Sequence, residues 1–331
     1  MKAQRLHQTG PVGVGSLRLE EVKTPAIGPE EVLVKVSACG VCHTDLHLVE
    51  GDLPDPKLPV IPGHEVVGRV ERIGAAVTDL KVGARVGITW LHDSCGECSF
   101  CLRGQENLCE QAHFTGYTAD GGYAEYIAVP ADFAVPLPDR FSDVEAAPLL
   151  CAGVVGFRSL RVAGLRPGER LGLYGFGASA HLCIQVARHW DCETYVFTRS
   201  AAHRQHAREL GAAWVGEAGE TPPYLLDRAV IFAPAGWIIP AALKHLRRGG
   251  TLAINAIHMT PIPEFPYHLL WHERVIRSVA NVTRADAETF LPLAAEIPVK
   301  VEARAFPLAE ANRVLGMVKD SQISGAAVLT I

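Results

Sequence analysis

Leu171-Gly172-Leu173-Tyr174-Gly175-Phe176-Gly177-Ala178-Ser179-Ala180 is the stretch on which the fold turns. A short apolar run breaks at Gly175 and Gly177, and a helical pattern then continues from Ala180 to His189. The turn matches G-x-G-x-x-G/A, in which glycines let backbone approach a pyrophosphate whose charge rests on a helix N-terminus. Ala178, Ser179 and Ala180 open that helix, and Ala180 is small enough for it to pack on the strand. A lone match is weak, because glycines are common in turns. Its place between an apolar strand and a helix gives it weight; the other reading is an ordinary strand-to-helix turn.

Downstream, strand patterns at Glu193 to Phe197, Ala229 to Ala233 and Thr251 to Asn255 alternate with helical patterns at His203 to Leu210 and Ile238 to Leu246. Such alternation predicts a doubly wound parallel sheet. A carboxylate about 20 residues past the turn ordinarily bonds the ribose hydroxyls of NAD. This chain has Thr198-Arg199-Ser200 there, with His203 and Arg204 beyond. A planar guanidinium without a carboxylate suits the 2′-phosphate of NADP, so NADP(H) is favoured over NAD(H). The competing reading makes Arg199 a solvated strand-end residue.

Upstream the character changes. Glu31 to Val36, Val66 to Val70 and Ala84 to Ile88 are short Val/Ile runs cut by turns such as Pro62-Gly63 and Val82-Gly83. They predict a twisted, largely antiparallel β domain. The tail, with Val299 to Phe306 and Ala326 to Ile331, returns to β character and is expected to rejoin it. The expected division is a β domain over 1–152 with a lobe at 92–110, a dinucleotide-binding domain over 153–291, and a return over 292–331. Val275 to Ala280 is read either as an edge strand through which copies pair or as an internal strand.

The chain has 331 residues, enough for about two domains, and a formal charge of −5 without a basic block. That balance gives no reason to expect nucleic acid or an acidic membrane as partner. The start, Met1 to His7, lacks the apolar core of a signal peptide, and the longest apolar run, Ala229 to Leu243, is interrupted by Pro234, Gly236 and Pro240. Nine cysteines without a secretion signal are expected to be reduced thiols and metal ligands, hence cytoplasmic.

Four of them, Cys95, Cys98, Cys101 and Cys109, fall within one short glycine-containing stretch. C-x2-C spacing of this kind wraps a loop around tetrahedral zinc, and four thiolates leave no open position, so the metal there is structural. Disulfides or unrelated buried thiols are the alternatives. Cys42-His43-Thr44-Asp45-Leu46-His47, Gly63-His64-Glu65 and Leu150-Cys151-Ala152-Gly153 lie apart, and spacing alone does not join them.

With these segments in hand, the whole chain strongly resembles the zinc-dependent alcohol dehydrogenases of the medium-chain dehydrogenase/reductase family. The resemblance rests on G-V-C-H-T-D, G-H-E, the four-cysteine lobe, the dinucleotide turn and L-C-A-G, all in family order. It implies an α/β fold with a GroES-like twisted β catalytic domain and a Rossmann cofactor domain, and an active site in the cleft between them. It implies Cys42, His64 and Cys151 as ligands of a catalytic zinc with water or substrate in the fourth place. Glu65 matches a carboxylate that can approach the metal, and Asp45 one that orients the ligating histidine. Thr44 and His47 match a proton relay, His43 a residue near the pyrophosphate, and Leu53 and Trp90 the substrate pocket. Hydride would pass between a primary alcohol or aldehyde and the nicotinamide, with zinc polarising the substrate oxygen. Relatives are commonly homodimers or homotetramers. Many carry an arginine touching the cofactor phosphates where this chain has Ala326, in Ser324-Gly325-Ala326-Ala327. A zinc-free quinone or enoyl reductase of the same fold would lack both cysteine sets. A silent dinucleotide-binding protein would be expected to have lost a ligand or relay residue, and none is missing.

Overall fold

The computed structural model describes residues 1–323 and 325–331, so Ser324 of the quoted C-terminal stretch lies outside the described residues. The chain divides into two compact units, one of residues 1–151, 281–295 and 301–331, the other of 152–280 and 296–300.

The second unit is built on a six-stranded, wholly parallel sheet. Across it run Trp214–Gly216, Glu193–Phe197, Arg170–Tyr174, Leu226–Ile231, Leu246–Ile254 and Val275–Ser278. The order reverses between Arg170–Tyr174 and Leu226–Ile231, which makes their carboxyl ends the switch point where such sheets bind ligands. Helices Ala178–His189, Ala201–Glu209 and Ile238–His245 supply the crossovers. Leu171, Leu173, Val196, Val230 and Leu252 are buried, as parallel strands covered on both faces require. Tyr174 stacks on Phe197 at 4.1 Å, and its hydroxyl meets His245 Nδ1 at 2.8 Å, so the core keeps its phenol satisfied. Val275–Ser278 is an edge strand.

The first unit centres on Glu31–Val41, an eleven-residue strand. One side pairs antiparallel with Val66–Ile73; the other is shared by Tyr126–Pro130 and Ala326–Thr330. Arg85–Ile88 and Val135–Pro136 continue the sheet one way and Ala303–Pro307 the other. Among the described residues of this sheet, only the Ala303–Pro307 and Ala326–Thr330 pair is parallel. Pairing shifts between Val36 and Ala38, and such bulges bend a strand and strengthen its twist. Val32, Val34, Val66, Val86 and Ile127 lie in one continuous core with Val314 and Leu315 of helix Ala311–Lys319.

One expectation needs correction. The return to the first unit comes at Asn281, not at 292. The reason lies in side chains that no periodicity shows: Arg284 bonds Glu106 and Asp132 and covers the Phe133 ring. Helical turns run unbroken over Asp143–Ala163, 21 residues whose most apolar window has mean hydropathy 1.4, long and apolar enough by length and composition to cross a bilayer. Its most apolar window is 72% buried within the fold, which accounts for the composition as that of a core helix.

Candidate metal centre and dinucleotide turn

Cys42 caps helix His43–Glu50 directly after the long strand. Its Sγ accepts the Thr44 N–H at 3.2 Å, while Asp45 Oδ2 accepts the Cys42 N–H at 3.0 Å. This is a capping box with a thiol in place of a hydroxyl. Asp45 is buried, and its second oxygen accepts the Gly63 N–H at 3.1 Å and faces His64 Nδ1 at 3.4 Å. One carboxylate thus ties the helix start to the His64 turn and directs Nε2 the other way, 3.3 Å from Cys42 Sγ.

Cys151 arrives from the helical run Asp143–Ala163. Pro148 lies inside its first part, and the chain widens into a π-helical turn over Leu149–Gly153 that carries the cysteine. Proline removes a helical N–H and crowds the preceding turn, a recognised cause of such irregularity. One donor atom from each of Cys42, His64, Glu65 and Cys151 then lies within 4.8 Å of the others. Glu65 reaches the cluster across Gly40, where an added Cβ would stand 1.7 Å from its carboxylate oxygen.

These groups perturb one another. A hydrogen bond from Cys151 holds the Cys42 thiol well below its ordinary range against burial, helped by the His64 charge and by hydrogen bonds from the His64 and Thr44 side chains. Cys151 is pushed up by that bond and by burial. Burial would lower His64, but Cys42 and Asp45 outweigh it and raise it. Burial raises Glu65, with Cys42 adding to the effect. Two sulfurs, an oriented imidazole and a near carboxylate are the donor chemistry of an open zinc site, so the residues fit the metal that the family uses.

In the lobe, Cys95 Sγ lies 3.5 Å from Cys109 Sγ and 3.9 Å from Cys101 Sγ, and Cys98 and Cys101 sulfurs are 3.5 Å apart. Disulfide sulfurs stand ~2.05 Å apart. Four sulfurs ~2.3 Å from one tetrahedral ion stand ~3.8 Å apart. The geometry fits a zinc cage, and all nine cysteines are free thiols. Backbone N–H groups of Glu97 and Cys98 hold Cys95 down to about 7, while burial pushes Cys101 up to about 11.

Around the open cluster, the Trp90 ring meets His64 edge-on at 4.9 Å and stacks on Phe114 at 5.6 Å and Tyr117 at 5.7 Å. The Tyr117 hydroxyl donates to the Pro54 carbonyl, next to half-buried Leu53. His43 is exposed at the helix start, and Thr44 and His47 lie one turn apart on that helix. His47 Nδ1 meets Asp52 Oδ2 at 2.8 Å. Sequence reading missed Asp52, Phe114 and Tyr117; the one available signal was Gly51, a helix-ending residue just before Asp52.

In the second unit, Gly175 takes φ +89 at the carboxyl end of its strand, a conformation that L side chains rarely adopt. The Phe232 N–H donates to the Tyr174 carbonyl, so the turn sits at the switch point. Gly177 caps helix Ala178–His189 without a side-chain bond, and a Cβ added there would meet nothing within 4 Å. Ala180 is wholly buried. Beyond the second strand Thr198 is buried and Arg199 exposed, and Ser200 Oγ caps helix Ala201–Glu209 by accepting the His203 N–H at 3.3 Å. Arg204 donates to the Arg199 carbonyl and pairs with Glu217, a nearby carboxylate that the sequence reading did not consider.

The profile of the alcohol dehydrogenase GroES-like domain matches residues 28–139. A probable alcohol dehydrogenase, AdhA, of Mycobacterium tuberculosis is 50% identical over all of this chain and 97% of its own length. The chain belongs to the zinc-dependent alcohol dehydrogenases. An alcohol dehydrogenase of Geobacillus stearothermophilus is 40% identical over 95% of this chain and 96% of that one. A cobalt- and zinc-bound thermostable alcohol dehydrogenase of Pyrobaculum aerophilum superposes with TM-score 0.88 at 27% identity, covering 100% of this chain and 99% of that one. The family's reaction is oxidoreduction between small-molecule alcohols and aldehydes, and the GroES-like and Rossmann architecture expected from the sequence is the one observed.

Proposed function

We propose that this chain interconverts primary alcohols and aldehydes at the Cys42, His64, Cys151 cluster, with NADP(H) as the favoured hydride carrier. The observation that carries this reading is the cluster itself, whose donor atoms gather from three separate segments within 4.8 Å. Bound zinc would supply polarisation of the substrate C–O function, and the nicotinamide would exchange hydride with its carbon. Asp45 fixes the His64 ring through Nδ1, leaving Nε2 for coordination. Glu65 waits beside the ligands, its carboxyl raised by burial. Thr44 takes the alcohol proton and passes it toward His47, where Asp52 holds Nδ1 on the solvent side. Trp90 and Leu53 bind the substrate's apolar part. His43 and the backbone at Gly175, Gly177, Ala178, Ser179 and Ala180 receive the pyrophosphate, with Thr198, Arg199 and Ser200 around the 2′-phosphate. Zinc in the four-cysteine lobe is structural. The exposed edge strand Val275–Ser278 supports a homodimer or homotetramer, and nine free thiols support a reducing cytoplasm.

The test is steady-state turnover of a panel of primary alcohols and aldehydes with NAD(H) and NADP(H) in parallel. Cys42→Ser should reduce turnover to background while the far-UV circular dichroism spectrum is unchanged. Arg199→Ala should erase an NADP(H) preference. A clear NAD(H) preference in the wild type would discard the Arg199 reading and leave the enzyme class standing.

A further inference from the structure

Glu106 is the buried carboxylate of the four-cysteine lobe, and it is unusually well partnered. It lies between Cys101 and Cys109, so its position and theirs are linked by a few residues of chain. Its partner comes from 178 residues away. Arg284 Nη2 donates to Oε2 at 2.8 Å, and Nε donates to the two oxygens at 3.2 and 3.0 Å. The Arg284 backbone N–H donates to Oε1 at 2.7 Å. That N–H is the first of helix Arg284–Glu296, whose local cap is Thr283 with Asp286 in a reciprocal pair. The lobe carboxylate therefore satisfies a helix N-terminus and a guanidinium together, two favourable settings for a buried negative charge. The guanidinium is itself fixed, against Asp132 at 3.2 Å and over the Phe133 ring at 4.7 Å.

We propose that the Arg284–Glu106 pair is a second fastening of the four-cysteine lobe, acting with the metal, so that retention of the lobe zinc depends on Arg284. The metal holds the cysteines to one another; the ion pair holds the lobe to the body of its own unit. Among the described residues, strand Leu91–Asp93 pairs with the two residues His113–Phe114, and within the lobe Leu102, Arg103, Gly104, Gln105 and Leu108 are exposed while Asn107 is buried beside Glu106. Without the ion pair the loop between Cys101 and Cys109 gains freedom, and a loosened cage releases its ion faster. The bidentate fork matters as well as the charge, since a lysine ammonium at 284 reproduces only a point contact. Arg284 is thus a positioning residue for a metal that it does not touch, an inference that rests on the lobe being a zinc site.

The experiment is zinc release from the holoenzyme to a chromogenic chelator, with alkylation of Cys95, Cys98, Cys101 and Cys109 followed by mass spectrometry to assign the ion to the lobe. Arg284→Ala should accelerate lobe release by about tenfold or more, as expected when an ion pair whose carboxylate is buried loses its cation. Arg284→Lys and Glu106→Gln should fall between that and the wild type, and both keep the test alive if Arg284→Ala fails to fold. Release from the lobe within about twofold of wild type in both conservative variants overturns the proposal. If wild-type protein carries no zinc in the lobe, the metal reading fails by itself. The fastening is then judged by hydrogen exchange over 95–110, which must quicken in Arg284→Lys for the ion-pair tether to stand.

Discussion

Asp52 illustrates how a backbone turn, and not sequence spacing, chooses a side chain's partner. Helix His43–Glu50 ends at Gly51 with φ 85. The Gly51 N–H donates to the Leu48 carbonyl and the Asp52 N–H to that of His47, the two bonds of a Schellman closure. That closure folds Asp52 back over the last turn and brings its carboxylate to His47 Nδ1. In the proposed relay this carboxylate fixes the histidine tautomer, leaving Nε2 to face the incoming proton. Asp52→Asn should therefore lower kcat by about tenfold, less than the roughly 10²–10⁴-fold that a proton-transferring group itself contributes, because it acts through the imidazole. His47→Gln should do the same, and the double variant should be little worse than either single one, because the two act as a unit. A double-mutant cycle on kcat decides it; additive losses would separate Asp52 from the relay.

At the scale of elements, the helical run that delivers Cys151 is fastened at its start. Asp143 accepts the Ser37 hydroxyl at 2.6 Å and Arg85 Nε at 2.8 Å, so the helix is moored to strands Glu31–Val41 and Arg85–Ile88. Arg85 also donates to the Pro138 and Phe141 carbonyls, so its own position is determined by the chain just before the helix. Partial burial disfavours the Asp143 charge, but Ser37 and Arg85 outweigh it and hold the carboxyl below its ordinary value. A carboxyl lowered on folding contributes stability above its unfolded pKa and loses it as pH falls through the folded one. Asp143→Asn should thus cost about 1 kcal/mol or less at pH 7, discounted because the side chain is partly exposed. The cost should shrink as pH falls below the ordinary aspartate range and vanish once the wild-type carboxyl is protonated as well. Urea unfolding over a descending pH series checks this, and an equal loss throughout would assign the effect to packing.

At the scale of the whole molecule, the second unit leaves a parallel edge strand and several large apolar side chains uncovered. Trp271 and Val275 are 53% and 41% exposed, and Tyr267 beside them is 67% exposed. Exposed edges and apolar groups of this kind are normally covered by a partner. If copies pair through this edge, the paired substitutions Trp271→Asp and Val275→Asp should convert the assembly to smaller species in sedimentation velocity. Unchanged sedimentation in a folded double variant would place the interface elsewhere.

Much of this organisation is legible along the chain, and the reason differs from part to part. Alternating apolar runs and helical patterns around Gly175 and Gly177 suffice for the parallel sheet, because each strand and crossover is encoded by contiguous residues. The cluster of Cys95, Cys98, Cys101 and Cys109 is equally local, since its sulfurs lie close enough in sequence for spacing to speak. Cys42, His64 and Cys151 could be joined only through resemblance to a family, because their approach depends on a buried aspartate and a π-helical turn that no periodicity encodes. Asp52 on His47, Arg284 on Glu106, and the return of the chain to its first unit at Asn281 lay beyond sequence reading altogether. Contiguous residues dictate which local structures form and which chemistries are available. Which distant side chains meet is settled on folding, because such meetings are set by backbone turns and core packing and not by separation along the chain.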